Sequence, residues 1–432
     1  MTLGESSHTV QAAALLGGLC GYLATTSRPA FVAVSDLSSA ASSRVSPGHA
    51  TKGVEPVARR ASPQTTSSDS WKVMVGAGTL CMAAAAGRRG RQGAVARAAE
   101  GESKIRLGTR GSPLALAQAY ETKGLLQKKY SEFEPDEAVD IRIISTTGDQ
   151  RLEVPLSALG GKGLFTRELD VALASEEVEF CVHSTKDVPT ELIPNTELIA
   201  MLPREDTRDV LICRDPSIKR IEDLPAGSVI GTASLRRQAQ IYAKNPDVTC
   251  VNFRGNVQTR LRKLAAGEVD ATMLAYAGLR RMNMEEHATE ILDWDQMLPA
   301  ISQGAISLQC RSDDKKTVDY LAPLSCKDTM QTVTCERAFL AALDGNCKTP
   351  IAGQAKIIDG ELVFQGLVSS PDGKQFFRCE RKGSPEDAAE IGNDAGLEVR
   401  AEAGEKFFED MQDYVQQVQA ANTKPTKAKT AA

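Results

Sequence analysis

The amino-acid sequence predicts an α/β protein in which two similar lobes face a cleft and a smaller third unit follows. Strand-like and helix-like patterns alternate from residue 104 onward, which is typical of α/β layers around a largely parallel sheet. The segment 107–118 is echoed by 230–240, because each reads as a strand, a Gly-Thr turn, a serine and a helix. The segment 166–179 is echoed by 259–270 in the same order, as a helix leading into a short strand.

The chain length and charge narrow the classes of partner. A length of 432 residues allows two or three domains, and the formal net charge is −5. Ten of the 51 Lys and Arg and five of the 56 Asp and Glu lie in the first 100 residues. The rest of the chain therefore has about ten more acidic than basic side chains, which argues against a nucleic-acid partner.

Residues 1–100 have the composition of a targeting sequence and are left out of the fold prediction. The apolar run 10–24 suits a signal peptide and is too short for a comfortable membrane span. A Ser/Thr-rich stretch, 25–70, and a second apolar run, 73–86, follow it. This layout resembles the bipartite leaders of proteins imported into complex plastids, and a membrane anchor with a disordered tail is the alternative. Cleavage near 95–99 would leave a plastid (chloroplast) protein with no membrane association.

Eight cysteines lie beyond this leader, and none shows a CxxC or another metal-like spacing. Several of them, such as Cys181, Cys250 and Cys310, occur in apolar strand-like runs and read as buried thiols. We therefore expect no metal site, and a reducing compartment suits the unpaired thiols.

The first lobe begins with a strand and a helix joined by Gly-Thr-Arg-Gly-Ser-Pro. Pro113 suits the first helical turn, and Ser112 can accept a backbone hydrogen bond as the N-cap. The glycine-rich loop 160–163 is expected to be flexible. The predicted elements are strand 104–107, helix 113–130, strand 139–145, helix 166–176 and strand 178–183.

The second lobe contains an arginine stretch, residues 231–263, with its arginines near two predicted helix starts. A helix start has unpaired N–H groups and a partial positive charge, and arginine forks bind carboxylates or phosphates bidentately. We interpret the stretch as an anion-binding surface, with a solvated basic face as the alternative. Its arginines are Arg236, Arg237, Arg254, Arg260 and Arg262.

A strand over 305–311 is expected to return to the first lobe before a third unit begins near residue 325. The predicted elements of this unit are helix 333–343, loop 344–350, strands 355–358 and 362–368, and a final helix 385–418. The predicted domain limits are 104–202 with 304–321, then 208–298, then 325–420.

Nine motifs together identify a known family. In chain order they read GTRGSPLALAQ, TGDQ, GGKGLFTREL, VHSTKDVP, GTASLRRQ, RGNVQTRL, LAYAGLRR, LPAISQGA and GNCKTPI. Over residues 104–415 this order resembles the porphobilinogen deaminase family. The resemblance implies two periplasmic-binding-protein-like lobes and a small α+β domain whose cysteine holds a dipyrromethane cofactor by a thioether. Four porphobilinogen molecules would be added to this primer, releasing 1-hydroxymethylbilane and ammonia.

The resemblance also implies roles for individual residues. Cys347 matches the attachment cysteine, Asp187 matches the catalytic aspartate, and Lys162 lies on a loop near the cleft mouth. The family is usually monomeric, and its product passes to uroporphyrinogen-III synthase. The implied cofactor-binding residues are Arg110, Ser112, Lys186, Thr232, Ser234, Arg236, Arg237, Arg254, Gly255, Arg260, Arg281 and Gln303.

The residue types suit that reaction. Each pyrrole unit carries an acetate and a propionate, so a growing chain accumulates carboxylates that arginines can pair with. Loss of ammonia leaves a cationic azafulvene, which a carboxylate such as that of Asp187 can stabilise. A turn-capping role is the alternative for Asp187, and His183 reads as a hydrogen-bonding residue at a strand end rather than a general base.

Cys347 has a structural alternative too, because nothing nearby except Lys348 would lower its thiol pKa. Many family members have Gly or Ser where this chain has Asn346, and the cysteine assignment stands despite that departure. Two other functions are compatible with parts of the sequence: a non-catalytic two-lobed binding protein, and an acyl-transfer enzyme with Cys347 as nucleophile. The first leaves the third unit unexplained, and the second lacks a positioned histidine.

Overall fold

The structure, a computed structural model, describes residues 105–151, 163–344 and 350–423 of the 432-residue chain. The predicted leader, Lys162 and Cys347 therefore lie outside the described residues. Within the described ranges, no helix combines the length and the apolar content that crossing a membrane requires.

Strands and helices alternate along the described residues, as the sequence predicts. The first part of the chain forms β1 (Ile105–Arg110), α1 (Pro113–Lys129), β2 (Val139–Ile144), α2 (Thr147–Gln150), α3 (Arg167–Ala174), β3 (Phe180–Ser184) and β4 (Thr196–Met201). The middle part forms β5 (Asp209–Cys213), β6 (Val229–Gly231), α4 (Leu235–Lys244), β7 (Thr249–Val251), α5 (Val257–Ala265), β8 (Ala271–Ala275), α6 (Tyr276–Arg280) and β9 (Glu290–Leu292). The last part forms β10 (Ile306–Arg311), α7 (Lys315–Leu321), α8 (Lys327–Ala342), β11 (Ile351–Ile358), β12 (Glu361–Ser369), β13 (Phe376–Gly383), α9 (Ala388–Ala403) and α10 (Glu405–Thr423).

Two five-stranded sheets with the same topology form the first and second lobes. The first lobe has the strand order β2-β1-β3-β10-β4, and the second has β7-β6-β8-β5-β9. In each sheet the three strands at one side are parallel, and the fourth strand runs antiparallel to both of its neighbours. The prediction of two similar α/β lobes is confirmed, whereas the sheets are mixed rather than parallel throughout.

Strand β10 returns to the first lobe, as predicted. Leu308 pairs with Val182 of β3, and Leu308 has no solvent exposure. Its side chain joins Leu107 and Phe180 in the apolar core of the lobe. Burial of these aliphatic and aromatic side chains drives the closure of the sheet across more than a hundred residues of intervening chain.

The third unit packs α8, α9 and the start of α10 on an antiparallel sheet with the order β11-β12-β13. Phe339 of α8 packs on Phe364 of β12 with ring centroids 4.9 Å apart. Helices α8 and α9 touch closely at Gly392, where a Cβ would lie 2.0 Å from the carbonyl oxygen of Cys335. This contact requires glycine, because no side chain fits between the two backbones.

Two predictions for the third unit are wrong. The single final helix over 385–418 is divided into α9 and α10 by Gly404, whose φ of 75° belongs to the left-handed region. Strand β13 was missed because its sequence, FFRCERKG, has charged residues at most of its solvent-facing positions and little apolar alternation.

Candidate active site

A cavity of about 740 Å³ is lined by residues of both lobes and of the third unit. Among the residues predicted to bind or act on a ligand, Arg281 does not line this cavity, and Cys347 lies outside the described residues. The predicted residues that do line it are Arg110, Ser112, Lys186, Asp187, Thr232, Ser234, Arg236, Arg237, Arg254, Gly255, Arg260 and Gln303.

Helix starts from both lobes reach the cavity. Ser112 Oγ accepts a hydrogen bond from the backbone N–H of Ala115 at 3.3 Å, which confirms the predicted N-cap of α1. Ser234 Oγ caps α4 by accepting from the N–H of Arg237 at 3.4 Å. Asn256 caps α5 in the same way. The capped starts set the direction of the first helical turns, and therefore of the side chains that project from them.

Asp187 lies in a 3-10 turn, Thr185–Asp187, directly after strand β3. Its Oδ2 accepts a hydrogen bond from Arg110 Nη1 at 3.1 Å, and its side chain keeps 26% of its exposure. The structure thus presents an accessible carboxylate at the cavity, held from one side by a guanidinium.

Arg110 is shared between two carboxylates. Its Nε and Nη2 donate to Asp149 at 2.9 and 2.5 Å, and its guanidinium lies 4.2 Å from the ring centroid of Phe165. Burial alone would favour the neutral form of Asp149, but the hydrogen bonds and charge of Arg110 prevail and lower the pKa of that carboxyl. Sequence reasoning missed Asp149 and Phe165, although both lie within the TGDQ and GGKGLFTREL motifs.

Asp209 on β5 is a second residue that sequence reasoning missed. It is fully buried, and its two carboxylate oxygens pair with Arg236 and Arg237, each at 2.7 Å. Gln303 Nε2 donates to the same carboxylate at 3.0 Å. Burial opposes ionisation, yet the two guanidinium groups hold the pKa of Asp209 below its usual range. An acid inside the apolar run DVLIC was the available signal for this buried pairing.

Two cations share this one anion, so the surface around Asp209 keeps a net positive charge. Arg236 also donates to the carbonyl oxygen of Leu298 at 2.8 Å, and Arg237 donates to that of Met273 at 2.9 Å. These contacts fix both side chains in place before any ligand arrives.

Arg254 extends from the second lobe to the main chain of the first. Its Nη2 donates to the carbonyl oxygen of Gly148 at 2.9 Å, and its Nη1 donates to that of Arg151. The contact brings α2, which contains Asp149, against the second lobe.

Arg260 is a half-buried cation that pairs with no carboxylate among the described residues. Its Nε is buried without a hydrogen-bond partner. Burial, together with the nearby charges of Arg237 and Arg254, lowers its pKa to about 9. A guanidinium whose buried Nε has no hydrogen-bond partner is stabilised by an anion that enters the cavity. Arg262, by contrast, is exposed on α5, so the solvated-face interpretation holds for that residue.

Lys186 and His183 complete the first-lobe face of the cavity. Lys186 Nζ donates to Gln303 Oε1 at 3.3 Å. His183 is buried in β3, and this burial is the main reason that its pKa is lowered to about 4. A neutral, buried imidazole agrees with the prediction that His183 is not a general base.

Arg281 connects the lobes away from the cavity. Its Nη2 donates to the carbonyl oxygen of Gly304 at 2.9 Å, and its Nε lies 3.4 Å from Glu121 Oε2 on α1. In this structure the residue therefore contacts the first lobe and does not face the ligand space.

Two family models match the chain in consecutive segments. Residues 105–319 match "Porphobilinogen deaminase, dipyromethane cofactor binding domain", and residues 330–401 match "Porphobilinogen deaminase, C-terminal domain". The chain belongs to the porphobilinogen deaminase family. Members of this family are transferases of tetrapyrrole biosynthesis that carry a dipyrromethane cofactor.

Curated relatives agree with the family assignment. Porphobilinogen deaminase, chloroplastic, from Oryza sativa subsp. japonica is 54% identical over 326 residues, which are 74% of this chain and 90% of the relative. Porphobilinogen deaminase from Nitrobacter winogradskyi is 48% identical over 302 residues, which are 70% of this chain and 94% of the relative.

Solved structures with a similar fold include the periplasmic aliphatic sulphonate binding protein SsuA from Escherichia coli. It is 15% identical, covers 55% of this chain and 70% of its own, and has a TM-score of 0.32. The two-lobed fold rests on the strand orders described above.

The cavity residues fit a dipyrromethane of the family type. Two pyrrole units carry several carboxylates, and the second lobe offers the cation of Arg260, which has no carboxylate partner in the part of the chain that the structure describes. The half-compensated pair Arg236 and Arg237 lies on the same cavity wall. Charge and donor set therefore match an elongated polycarboxylate.

Proposed function

We propose that this chain catalyses the stepwise deaminative polymerisation of porphobilinogen. Four porphobilinogen molecules are added to a dipyrromethane primer, with release of 1-hydroxymethylbilane and ammonia. The observation that supports this most directly is Arg260, a half-buried cation of the cavity whose buried Nε has no hydrogen-bond partner and which pairs with no carboxylate among the described residues. Arg260 lines the same cavity as the accessible carboxylate of Asp187, so this cavity combines a carboxylate-binding group with a group that can stabilise a cation.

We propose that Cys347 holds the primer through a thioether. When bound, the dipyrromethane would supply the pyrrole carbon to which the first unit is joined, and each later unit would be joined to the one before it. Cys347 itself is outside the described residues, but Leu340 and Ile351 on either side of it in sequence both line the cavity. This placement of the flanking residues supports an attachment point at the same cavity.

The arginines of the second lobe are proposed to bind the acetate and propionate groups. Charge-assisted hydrogen bonds of this kind contribute about 1.5–3 kcal/mol each. Arg236 and Arg237 are already held in place by Asp209, so a ligand meets guanidinium groups whose orientation is fixed. Arg260 gains its missing counter-ion when the ligand binds.

Asp187 is proposed to act on the substrate. Porphobilinogen loses ammonia to give a cationic azafulvene, and the Asp187 carboxylate is placed to stabilise that positive charge. Within the described residues, one of its oxygens is bound by Arg110, and its partial exposure leaves the carboxylate reachable from the cavity. After coupling, the same carboxylate can accept a proton from the pyrrole system.

Intact mass of the purified mature protein tests the proposal. We expect the wild-type protein to exceed its polypeptide mass by one dipyrromethane, and Cys347→Ala to show the bare polypeptide mass and no turnover. Substitution of the buried Cys310 or Cys335 is the matched control and should leave the adduct in place. An adduct that survives in Cys347→Ala would contradict the attachment assignment.

The finer features also remain proposals. We propose domain limits of 104–202 with 304–321, then 208–298, then 325–420, in line with the segments of the three sheets. We also propose a plastid location reached through the bipartite leader, since the relatives from rice and pea are named chloroplastic. A monomer that passes its product to uroporphyrinogen-III synthase completes the proposal.

A further inference from the structure

Arg337 of helix α8 binds the main chain that directly follows Asp187. Its Nη1 donates to the carbonyl oxygen of Val188 at 3.0 Å. Its Nη2 donates to the carbonyl oxygens of Pro189 and Thr190 at 2.6 and 3.4 Å. One guanidinium of the third unit thus holds three successive carbonyl groups of the first lobe.

The charge of Arg337 is compensated only by these carbonyl dipoles, because no carboxylate pairs with it among the described residues. Burial lowers its pKa to about 10. Keeping such a cation away from water costs folding free energy that an apolar side chain would not cost. Its contribution is therefore better explained by the geometry it imposes than by stability.

The segment around Asp187 is fixed on two sides. Before it, the backbone N–H of Thr185 donates to the carbonyl oxygen of Ala305, and that of Val188 closes the turn onto Thr185 at 3.1 Å. After it, Pro189 has no N–H to donate, so its main chain can be anchored only through carbonyl oxygens. Arg337 supplies that anchor.

A general tether between α8 and the segment that links β4 to β5 exists elsewhere. Arg204 and Glu336 form a buried bidentate pair with distances of 2.7 and 2.9 Å. Arg337 is therefore not needed merely to attach the third unit. Its distinct contact is with residues 188–190.

We propose that Arg337 is a positioning residue for Asp187, which it keeps at a fixed place in the cavity by holding residues 188–190 against α8. The inference rests on the proposed role of Asp187 in catalysis. Misplacement of a reacting group by about 1 Å can cost up to about 100-fold in rate. Loss of Arg337 is therefore expected to act on the rate of the chemical step rather than on ligand binding.

The test compares Arg337→Met and Arg337→Lys with Arg311→Met in the cofactor-loaded full chain. Arg311 is a matched control, because it also donates to main-chain carbonyls of the first lobe, those of Leu173 and Val178, and does not line the cavity. We expect Arg337→Met to lower kcat by about 10-fold or more with KM changed less than about twofold. Arg337→Lys should recover part of kcat, because an ammonium group can still reach one carbonyl. Arg311→Met should lower the melting temperature and leave kcat unchanged.

A double-mutant cycle separates positioning from general destabilisation. In an Asp187→Asn background, Arg337→Met should lower the single-turnover rate less than about twofold, because the carboxylate it positions is absent. If the single variant Arg337→Met is fully active while the single variant Asp187→Asn is impaired, the positioning role of Arg337 is wrong and the role of Asp187 stands. Near-normal turnover of Asp187→Asn would overturn the role of Asp187 and the positioning role with it. If Arg337→Met fails to fold, Arg337→Lys replaces it in the same cycle. Rate losses of Asp187→Asn and the Arg337 variant that simply add in the double mutant would overturn the proposal.

Discussion

The two lobes share a strand order but differ in charge where they face the cavity. On the first lobe, Arg110 and Lys186 are balanced by Asp149 and Asp187. Among the described residues of the second lobe, four arginines line the cavity, and the buried carboxylate of Asp209 pairs with two of them. The four arginines are Arg236, Arg237, Arg254 and Arg260. One scaffold therefore carries a face suited to cation stabilisation and a face suited to anion binding.

The difference arises at equivalent turns of the repeated motif. After the capping serine, the first lobe has Leu114 and Ala115 where the second has Arg236 and Arg237. At the end of β3 the chain continues with Lys186 and Asp187, whereas β8 is followed by the uncharged Tyr276, Ala277 and Gly278. The repeat fixes where side chains are placed, and a few substitutions in its turns decide the chemistry of each lobe.

The largest expected effect would break the comparison at the first lobe. Asp187→Asn keeps the shape and most hydrogen bonds but removes the negative charge. We expect turnover of cofactor-loaded protein to fall by at least about 100-fold, the lower range for loss of a positioned acid–base group. Asp187→Glu keeps the charge, displaced by one methylene, and should retain more activity than Asp187→Asn.

Rate and melting temperature, measured together, distinguish this role from turn capping. A turn-capping Asp187 would tolerate asparagine, and glutamate would be the more harmful change. Near-normal turnover of Asp187→Asn, with a lowered melting temperature in Asp187→Glu, would therefore remove Asp187 from the mechanism.

The second prediction concerns Arg260 on the second lobe and has opposite signs in two backgrounds. In a Cys347→Ala background no primer is attached. There Arg260→Met should raise the free energy of unfolding by about 1 kcal/mol or more. The reason is that it removes a half-buried cation that pairs with no carboxylate among the described residues. In the cofactor-bearing protein the same change should lower turnover by about 10-fold or more, since charge-assisted contacts to carboxylates are lost. Lysine should rescue only part of that turnover.

Arg262→Met is the matched control for Arg260→Met, because Arg262 lies on the same helix but is exposed. Denaturant unfolding and steady-state turnover should both be nearly unchanged in that variant. If Arg260→Met destabilises the primer-free protein, the interpretation of Arg260 as a cation awaiting its ligand is wrong.

The repeated fold could be predicted from the sequence because its signals are local. Glycine, serine and proline at the turns and the periodicity of helices and strands are each read within about ten residues. Ser112 illustrates this, since its role as N-cap follows from its immediate neighbours. Gly404 shows the limit, because only its left-handed backbone divides α9 from α10 in an otherwise continuous helical pattern.

The pairing within the site could not be predicted, because it depends on contacts across the fold. Asp209 lies 27 residues before Arg236 in the sequence and meets it only because β8 pairs with both β5 and β6, the strand that leads into α4. Asp149 shares Arg110 with Asp187 through three separate chain segments. The burial of these acids and their partners follow only from the tertiary structure.

The smallest expected effect concerns acid sensitivity and sharpens the comparison of the two lobes. The pKa of His183 is lowered to about 4, mainly by burial and to a lesser extent by the charge of Arg110. The ordinary pKa of histidine in an unfolded chain is about 6.5. Between these values the unfolded chain binds the proton and the folded chain does not, so stability falls as the pH drops from about 6.5 toward 4. Asp209 on the second lobe has a lowered pKa, so its contribution is lost only below its unfolded value of about 3.9.

We therefore expect the first lobe to set the sensitivity at mildly acidic pH. Denaturant unfolding from pH 7 to pH 5 should show a loss of roughly 2 kcal/mol that originates from His183. His183→Asn should flatten that part of the profile, while the steeper loss below about pH 4 should remain. If His183→Asn loses as much stability between pH 7 and pH 5 as the wild-type protein does, other groups cause the mild-acid response. The buried imidazole then does not distinguish the two lobes.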